Sequence, residues 1–203
     1  MRITVFGATG GTGRLVVRDA LAAGHAVTAL VRDPAALGPV ADQVTVVPGD
    51  ARDAAAVARA VAGAQGVISA IGSHTLGRST VITDCMATIV AALPADTRLL
   101  AVSTVGAGGT GGQMPLAVRA VIGVVLRNAI ADHDGQEAAI IGSDLDWTIA
   151  RCVGLTDDPP AGQVHEVTAG RVGGSRIARA DVAAWLVANL AQGTWSRQAV
   201  SLW

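Results

Sequence analysis

The sequence predicts an α/β fold in which a doubly wound parallel sheet lies between two layers of helices. Short apolar segments alternate with segments of helical periodicity along all 203 residues, as in chains built from βαβ units. The apolar segments are nearly continuous runs of Val, Ile, Leu and Ala, which is typical of strands covered on both faces. No linker or internal repeat divides the chain, so we expect one three-layer domain.

Seven strands are predicted from the apolar runs, in chain order at residues 3–6, 26–31, 44–48, 66–71, 98–103, 147–151 and 199–203. Five helical segments lie between them, at residues 12–23, 54–62, 80–93, 116–141 and 182–190. The fourth segment is expected to break near Asp132. The fifth has Val182, Trp185, Leu186 and Leu190 on one face and Asp181 as its expected N-cap.

Composition excludes several classes of function. A net charge of −1 gives no basic face for nucleic acid, and the N-terminal residues lack the pattern of a signal peptide. The apolar run at residues 120–126 is framed by Arg119 and Arg127 and is too short to cross a membrane. Cys85 and Cys152 are too far apart to indicate a disulfide framework or a metal site. We therefore expect a cytoplasmic protein, monomeric or homodimeric, without metal.

A glycine-rich turn follows the first strand directly. Residues 7–13 read Gly-Ala-Thr-Gly-Gly-Thr-Gly and lead into the first helix, which is the context expected for a dinucleotide-binding turn of the Rossmann type. Gly7 permits the tight turn, Gly10 lets the backbone approach a diphosphate, and Gly13 allows close packing of helix and strand. The predicted ligands in this turn are Gly7, Ala8, Thr9, Gly10, Gly11, Thr12 and Gly13.

The end of the second strand predicts which dinucleotide is bound. Arg32 stands where an NAD-selective site places an acidic residue, so the pattern favours the 2′-phosphate of NADP(H) over NAD(H). Arg14 is a candidate second guanidinium for that phosphate. Asp33 leaves an alternative open, because it could bind the ribose hydroxyls if Arg32 turned away.

Other loops at the same edge of the sheet complete the predicted site. Asp50 and Ala51 follow the third strand and are assigned to the adenine, although Asp50 could instead cap the next helix. Ala70, Ile71 and Gly72 end the fourth strand, where small residues permit close approach of the cofactor.

These motifs resemble the atypical short-chain dehydrogenase/reductase superfamily, in particular its NAD(P)H-binding branch of NmrA-like and biliverdin-IXβ reductase or flavin reductase-like proteins. The resemblance spans nearly the whole chain. It is carried by residues 7–13, 29–33, 49–50, 78–93, 102–104, 143–151 and 177–183. It implies a Rossmann-like domain with a small substrate-side region at about residues 152–180.

The chain departs from the tyrosine-dependent members of that superfamily. Ser103 matches their serine, but the chain contains no tyrosine and no lysine, since all fifteen basic residues are arginine. The resemblance places His133, preceded by Asp132, where relatives carry lysine or histidine. A second histidine of the biliverdin-IXβ reductase type falls at Glu137, and Cys152 replaces a common proline.

The missing tyrosine limits the chemistry. A positioned general acid contributes about 10²- to 10⁴-fold, so reduction of a simple ketone would be slow without one. A flavin, a quinone or another conjugated planar acceptor delocalises the charge and can take its proton from water. Ser103 is predicted to bind the nicotinamide or the substrate, or only to cap its strand. His133 is predicted to donate a proton or stack on the acceptor, or to be a surface residue, and His74 is a weaker candidate of the same kind.

Three functions fit to different degrees. The sequence favours an NADPH-dependent reductase of a conjugated acceptor. The alternative is a redox sensor of NmrA type, with residues 120–126 as a helical contact for a partner, whereas a sugar epimerase would need the tyrosine. Residues 106–114 contain five glycines and are predicted to be a mobile lid over the acceptor or a disordered connection.

Overall fold

The computed structural model describes residues 1–73, 75 and 77–203, with the side chains of residues 117, 118, 121 and 122 left aside. The chain forms a mostly parallel sheet of eight strands with helices on both faces, which confirms the predicted fold class. The described residues form ten strands, which are β1 (Arg2–Phe6), β2 (Ala26–Val31), β3 (Thr45–Pro48), β4 (Gly66–Ser69), β5 (Arg98–Thr104), β6 (Asp146–Cys152), β7 (Gly154–Thr156), β8 (Glu166–Val167), β9 (Arg176–Ala178) and β10 (Gln198–Leu202). Of these, β7 and β9 pair with each other in a separate two-stranded sheet.

The helices are α1 (Gly11–Ala22), α2 (Ala54–Val61), α3 (Val81–Ala92), α4 (Leu116–Val125), α5 (Arg127–Ile141) and α6 (Arg179–Gln192). Two stretches of 3₁₀ helix, Pro34–Gln43 and Thr110–Gln113, add to them. Neither was predicted, because the sequences of these 3₁₀ segments show no amphipathic helical pattern.

The strand order is β3-β2-β1-β4-β5-β6-β10-β8, and β8 alone runs antiparallel, against β10. β1 lies between β2 and β4, with Ile3 level with Val27 on one side and with Gly66 on the other. The order of strands reverses at β1, so the loop after β1 opens into the crevice where such sheets bind ligands.

Alternate residues of the strands belong to two hydrophobic cores, one on each face of the sheet. Ile3 and Val5 of β1 pack with α1 and α6, whereas Phe6 packs with α2, α3 and α5 on the other face. In β5, Leu100 and Val102 join the first core, and Leu99 and Ala101 join the second. Burial of both faces explains why the strands read as unbroken apolar runs.

The predicted helix break near Asp132 is wrong. The chain breaks at Leu126 instead, and Asp132 lies within α5. Its carboxylate accepts hydrogen bonds from the N–H groups of Ile82 and Thr83, at 3.2 and 2.9 Å, so it satisfies α3 and does not compete for its own backbone.

Asp181 is likewise not an N-cap. α6 begins at Arg179, and Asp181 lies in its first turn. Its carboxylate accepts from the N–H groups of Ala161 and Gly162, at 2.8 and 3.0 Å, and so fastens the segment between β7 and β8 to the helix. The expected substrate-side region at 152–180 contains the short strands β7, β8 and β9, which the sequence did not predict.

Candidate functional site

A cavity with a volume of about 550 Å³ lies at the carboxyl edge of the sheet. It is lined by residues at or just after the ends of β1 to β6 and by residues of α1, α3, α5 and α6. A second cavity, of about 390 Å³, lies at the opposite edge beside Arg2, Ala26 and Thr45. Parallel sheets of this order bind their ligands at the carboxyl edge, so the larger cavity is the candidate site.

The glycine turn forms one wall of this cavity. Gly7 has a φ of +75°, and a Cβ there would lie 2.5 Å from the carbonyl oxygen of Ala70. A Cβ at Gly13 would lie 2.0 Å from the carbonyl oxygen of Gly7, which shows how closely α1 packs against the turn. Gly10, at the N-cap of α1, has no side chain with which to cap the helix. The first N–H groups of α1 are therefore available to an anion.

Most of the predicted cofactor residues come together here. Those that line the cavity are Gly7, Thr9, Gly10, Gly11, Thr12, Arg32, Asp50, Ala51, Ala70, Ile71, Gly72 and Ser103. Ala8 and Gly13 do not line it, because both are buried behind the turn. His133 lines the cavity as well, whereas His74 lies outside the described residues.

The three candidates for the 2′-phosphate and ribose have different surroundings. Arg32 is exposed at the end of β2 and lines the cavity. Asp33 accepts a hydrogen bond from the N–H of Ala35 at 3.0 Å and caps the 3₁₀ segment. The guanidinium of Arg14 donates to the carbonyls of Thr9 and Ala36, at 2.8 Å each, and does not line the cavity. Arg14 thus braces the turn.

Arg179 is a residue of this site that the sequence did not single out. It is the first residue of α6 and lines the cavity. A Cβ at Gly11 would lie 2.9 Å from both Cδ and Nε of Arg179, so this side chain lies against the start of α1. Its Nη1 pairs with Asp157 at 2.8 Å, and the Asp157 side chain is 86% exposed. Packing of α6 on α1 brings residues 11 and 179 together, and no local pattern reports that contact.

Asp50 is held by its neighbour. Its carboxylate accepts from the backbone N–H and the Nε of Arg52, both at 2.9 Å, and pairs with Nη2 at 2.9 Å. These contacts lower the pKa of Asp50 to about 2. The cap of α2 is Asp53, which accepts from the N–H of Ala55 at 2.9 Å, so the alternative of Asp50 as the helix cap is wrong.

Ser103 belongs to a buried polar group beside the cavity. Its hydroxyl donates to Oε1 of Glu137 at 2.6 Å. Arg151 donates to the same carboxylate, from Nε at 3.0 and 3.1 Å and from Nη2 at 2.6 Å. Ser103 and Glu137 are 3% and 2% exposed. The position where the resemblance expected a histidine thus holds the carboxylate that orients Ser103.

His133 projects from α5 into the lining of the same cavity. Burial lowers its pKa, although the nearby carboxylates of Asp132, Glu137 and Asp134 act in the opposite direction. Its Nδ1 is buried and has no hydrogen-bond partner among the described residues. A neutral imidazole at this place can stack on a planar ligand or exchange a proton with one.

Neither cysteine is activated. Both line the cavity and both are free thiols. Burial raises the pKa of Cys85 to about 11 and that of Cys152 to about 12, so both are protonated at neutral pH.

Residues 106–114 do not form an open lid. Thr110–Gln113 is a 3₁₀ helix, and Gln113 is buried, with its Oε1 accepting from the hydroxyl of Ser201 at 2.6 Å. Gly108 donates its N–H to Asp134 at 2.7 Å. The segment packs over the Arg151–Glu137 pair and does not line the cavity, which corrects the prediction of a mobile lid or a disordered connection.

No group of three or more His, Cys, Asp or Glu side chains is arranged to hold a metal ion in the part of the chain that the structure describes. None of the helices described there has the length and apolar character needed to cross a bilayer.

Comparison with known proteins identifies the family. A model of the NAD(P)H-binding family matches residues 7–193. ChuY, an anaerobillin reductase from Escherichia coli O157:H7, is 28% identical with a TM-score of 0.85, and the match covers 100% of this chain and 96% of that one. These findings confirm the resemblance predicted from the sequence.

Two more distant structures share the fold. A short-chain dehydrogenase/reductase from Veillonella parvula, solved in complex with NADP, is 20% identical with a TM-score of 0.84 and coverage of 99% and 93%. SP1627 from Streptococcus pneumoniae, solved as a candidate NADH-flavin reductase, is 21% identical with a TM-score of 0.79 and coverage of 100% and 98%.

Proposed function

Because the chain belongs to the NAD(P)H-binding family, we propose that it is an NADPH-dependent reductase that transfers hydride to a conjugated planar acceptor such as a flavin or a quinone. One observation carries the proposal. The cavity joins a dinucleotide cradle to a reaction end that offers Ser103 and His133 but no phenol or amine, since the whole chain lacks tyrosine and lysine.

The cofactor is proposed to lie across the carboxyl edge of the sheet. Its diphosphate would rest on the N–H groups at the start of α1, with Arg179 on the other side of the anion. Arg32 would hold the 2′-phosphate, and Asp50 and Ala51 would adjoin the adenine. Two arginines and one helix end then face the three phosphate groups of NADPH, which supports NADPH over NADH.

The nicotinamide would reach the ends of β4 and β5, next to Gly72, Ser103 and His133. When bound, the cofactor supplies the hydride. The chain aligns it with the acceptor and keeps the cavity walls apolar at Val102 and Cys152. Burial of His133 lowers its pKa and so leaves it a weak source of protons at neutral pH. An acceptor that stabilises its own negative charge needs no stronger acid, whereas a ketone would.

The 28% identity with ChuY supports reduction of an extended planar molecule, because that protein is described as an anaerobillin reductase. The match covers nearly the full length of both chains, so the substrate side is compared as well as the cofactor side.

The second candidate is an NADP(H)-binding redox sensor of NmrA type, and the surface of α4 favours it. Leu116 and Val124 on this helix are 78% and 75% exposed, which is a high exposure for large apolar side chains. A sensor would bind the dinucleotide and pass no hydride on.

Thermal unfolding with NADPH and NADH, together with steady-state assays on FMN, a benzoquinone and a simple ketone, tests the proposal. At a hundred times Kd the ligand should stabilise the protein by about 2.7 kcal/mol. We expect NADPH to bind more tightly than NADH, and the two conjugated acceptors, but not the ketone, to oxidise it. Binding without oxidation by either conjugated acceptor supports the sensor, and failure of both nucleotides to bind overturns both candidates.

A matched pair of glycine variants shows whether the observed binding belongs to this cavity. A Cβ at Gly72, which lines the cavity, or at Gly112, which does not, has no described atom within 4 Å. Gly72→Val should therefore fill cofactor space while leaving the fold intact, and Gly112→Val is its control. We expect only Gly72→Val to weaken NADPH binding.

A further inference from the structure

The hydrogen-bonding direction of Ser103 is fixed by two buried neighbours. A serine hydroxyl has one proton to donate and two lone pairs with which to accept. That proton goes to Oε1 of Glu137 at 2.6 Å, and a carboxylate can only accept. The oxygen of Ser103 can then offer the cavity only its lone pairs.

Arg151 holds the Glu137 carboxylate in place. Its Nε and Nη2 contact both carboxylate oxygens, at 3.0, 3.1 and 2.6 Å, and the side chains of the pair are 10% and 2% exposed. Charge-assisted hydrogen bonds of this length resist rearrangement. A buried ion pair is weak support for stability as such, because well-packed apolar side chains often replace one without loss.

The segment after β5 shields the pair from water. Gly108 has a φ of +57°, and a Cβ there would lie 2.0 Å from Nη2 of Arg151 and 2.3 Å from Oε2 of Glu137. The backbone therefore covers the pair at a distance that no side chain at position 108 would allow. The low exposure of the Arg151–Glu137 pair and its cover by the backbone at Gly108 together fix the orientation of the Ser103 hydroxyl.

We propose that Glu137 is a positioning residue that fixes Ser103 as a hydrogen-bond acceptor, so that this point of the site selects a ligand N–H and cannot supply a proton to the reduced substrate. The proposal rests on the proposed function, because the N–H that we assign to it is that of the nicotinamide carboxamide. With the cofactor bound, this contact would favour one of the two flipped orientations of the nicotinamide ring, and Ser103 would thereby decide which face of the ring meets the acceptor.

The proton balance of the reaction follows from this orientation. Hydride from NADPH carries two electrons and one proton to the acceptor, NADP⁺ is released, and the acceptor takes one further proton. Ser103 is excluded as its donor, so the proton must come from water or from another side chain of the cavity, of which His133 is the candidate with a titratable ring.

A cycle of two ligands and three proteins tests the orientation without any turnover. The ligands are NADP⁺ and its 3-acetylpyridine analogue, in which a methyl group replaces the carboxamide NH₂ and removes the N–H donors. The proteins are the wild type, Ser103→Ala and Glu137→Gln, and calorimetry gives each Kd. One hydrogen bond contributes about 0.5–1.5 kcal/mol, so the wild type should prefer NADP⁺ by about 2- to 10-fold.

Ser103→Ala should abolish that preference. Glu137→Gln should reduce it as well, because an amide NH₂ can donate to Ser103 and free the hydroxyl proton for the acetyl carbonyl. A purely structural role of Glu137 would weaken both ligands equally and leave their ratio unchanged, which would overturn the proposal. A wild type that binds the two ligands equally would overturn it too, while the proposed function stands. If neither ligand binds, both fail together.

Should Glu137→Gln not fold, the comparison of wild type with Ser103→Ala still decides, because the preference must come from the Ser103 oxygen. A preference retained in Ser103→Ala contradicts the proposal.

Discussion

At the scale of single residues, Arg32 tests the preference for NADPH. It lines the cavity and is exposed, so its removal should disturb little except a bound phosphate. A hydrogen bond to a charged group is worth about 1.5–3 kcal/mol, so Arg32→Ala should weaken NADPH binding by about 10- to 100-fold and leave NADH binding nearly unchanged. Calorimetric Kd values for both nucleotides check this.

Arg59→Ala is the matched control for Arg32, because Arg59 is an exposed arginine on α2 that does not line the cavity. It should leave both affinities unchanged. If Arg32→Ala weakens NADH as much as NADPH, Arg32 does not bind the 2′-phosphate.

Substitutions of Arg179 and of Asp157 should have opposite effects on binding of the diphosphate. Arg179 lines the cavity and the Asp157 carboxylate is largely exposed, so their ion pair is weak and an anion at the start of α1 can displace it. Arg179→Gln should weaken binding of ADP-ribose, which has the diphosphate but no 2′-phosphate. Asp157→Asn should strengthen it modestly by releasing the guanidinium.

Adenosine 2′-monophosphate separates this effect from that of Arg32, because it has the 2′-phosphate and lacks the diphosphate. We expect Arg179→Gln to leave its Kd unchanged and Arg32→Ala to raise it. An Asp157→Asn variant that binds ADP-ribose more weakly than the wild type would contradict the assignment of Arg179.

At the scale of elements, the segment between β5 and α4 predicts unequal costs at two adjacent glycines. Gly108 and Gly109 both have positive φ, +57° and +76°, so alanine at either should cost about 1–2 kcal/mol. A Cβ at Gly109 meets no described atom within 4 Å, whereas one at Gly108 clashes with Arg151 and Glu137. The guanidinium can move away only by giving up its contact with the carboxylate.

Gly108→Ala should therefore be about 1–3 kcal/mol less stable than Gly109→Ala, measured by urea unfolding at pH 7. Equal stabilities would show that the segment can lift off the ion pair at no cost, and that its cover is not a fixed part of the site.

α3 is held at its start by a residue from another helix. Asp132 accepts from the N–H groups of Ile82 and Thr83 and from the Thr83 hydroxyl, and it is 2% exposed. Asp53 makes one such bond, to Ala55 at the exposed start of α2. Asp132→Ala should cost about 2–3 kcal/mol and Asp53→Ala about 1 kcal/mol, because only the former leaves buried donors unpaired.

Urea unfolding of both variants and of Asp132→Asn, which keeps one acceptor oxygen, measures the difference. Asp132→Asn should fall between the wild type and Asp132→Ala. A loss at Asp132→Ala no larger than that at Asp53→Ala would mean that α3 is not held by this contact.

Asp132 and Asp181 show how far a sequence can predict helices and strands. The strands and helices with strong apolar patterns were placed within a few residues, because burial of both sheet faces imposes those patterns. Asp132 and Asp181 were misassigned as a helix break and an N-cap, because each binds N–H groups about 20 to 50 positions away. A local window contains no signal for such a partner.

At the scale of the whole molecule, the position of the site was predictable, whereas the contacts between residues of its different helices and strands were not. Residues 7, 32, 50 and 72 follow four different strands and Ser103 lies near the end of a fifth, and a parallel sheet must bring those strand ends to one edge. The contacts of Arg179 with Gly11 and of Glu137 with Ser103 depend on how α6 and α5 pack against the sheet. Packing angles of that kind are decided by the complete core and not by any motif.

The stability of the whole domain should depend on pH through His133. Burial lowers its folded-state pKa below the value of about 6.5 found in unfolded chains, so the unfolded state binds the proton more readily. The free energy of unfolding should therefore be highest above pH 6.5 and should fall as the pH drops through 6.5 toward the folded-state pKa. The carboxylates of Asp132, Asp134 and Glu137 reduce this effect without reversing it.

His133→Gln removes the proton-binding group and should flatten the decline in stability between pH 7.5 and 5.5, as measured by urea unfolding at both values. His25 contributes with the same sign, because partial burial and the N-terminal ammonium lower its pKa, so His25→Gln should flatten the decline separately. The two histidines lie on different elements, and their effects should add in the double variant. A His133→Gln variant with the wild-type pH dependence would show that water reaches the imidazole freely, and that His133 is charged and able to donate a proton in the cavity at mildly acid pH.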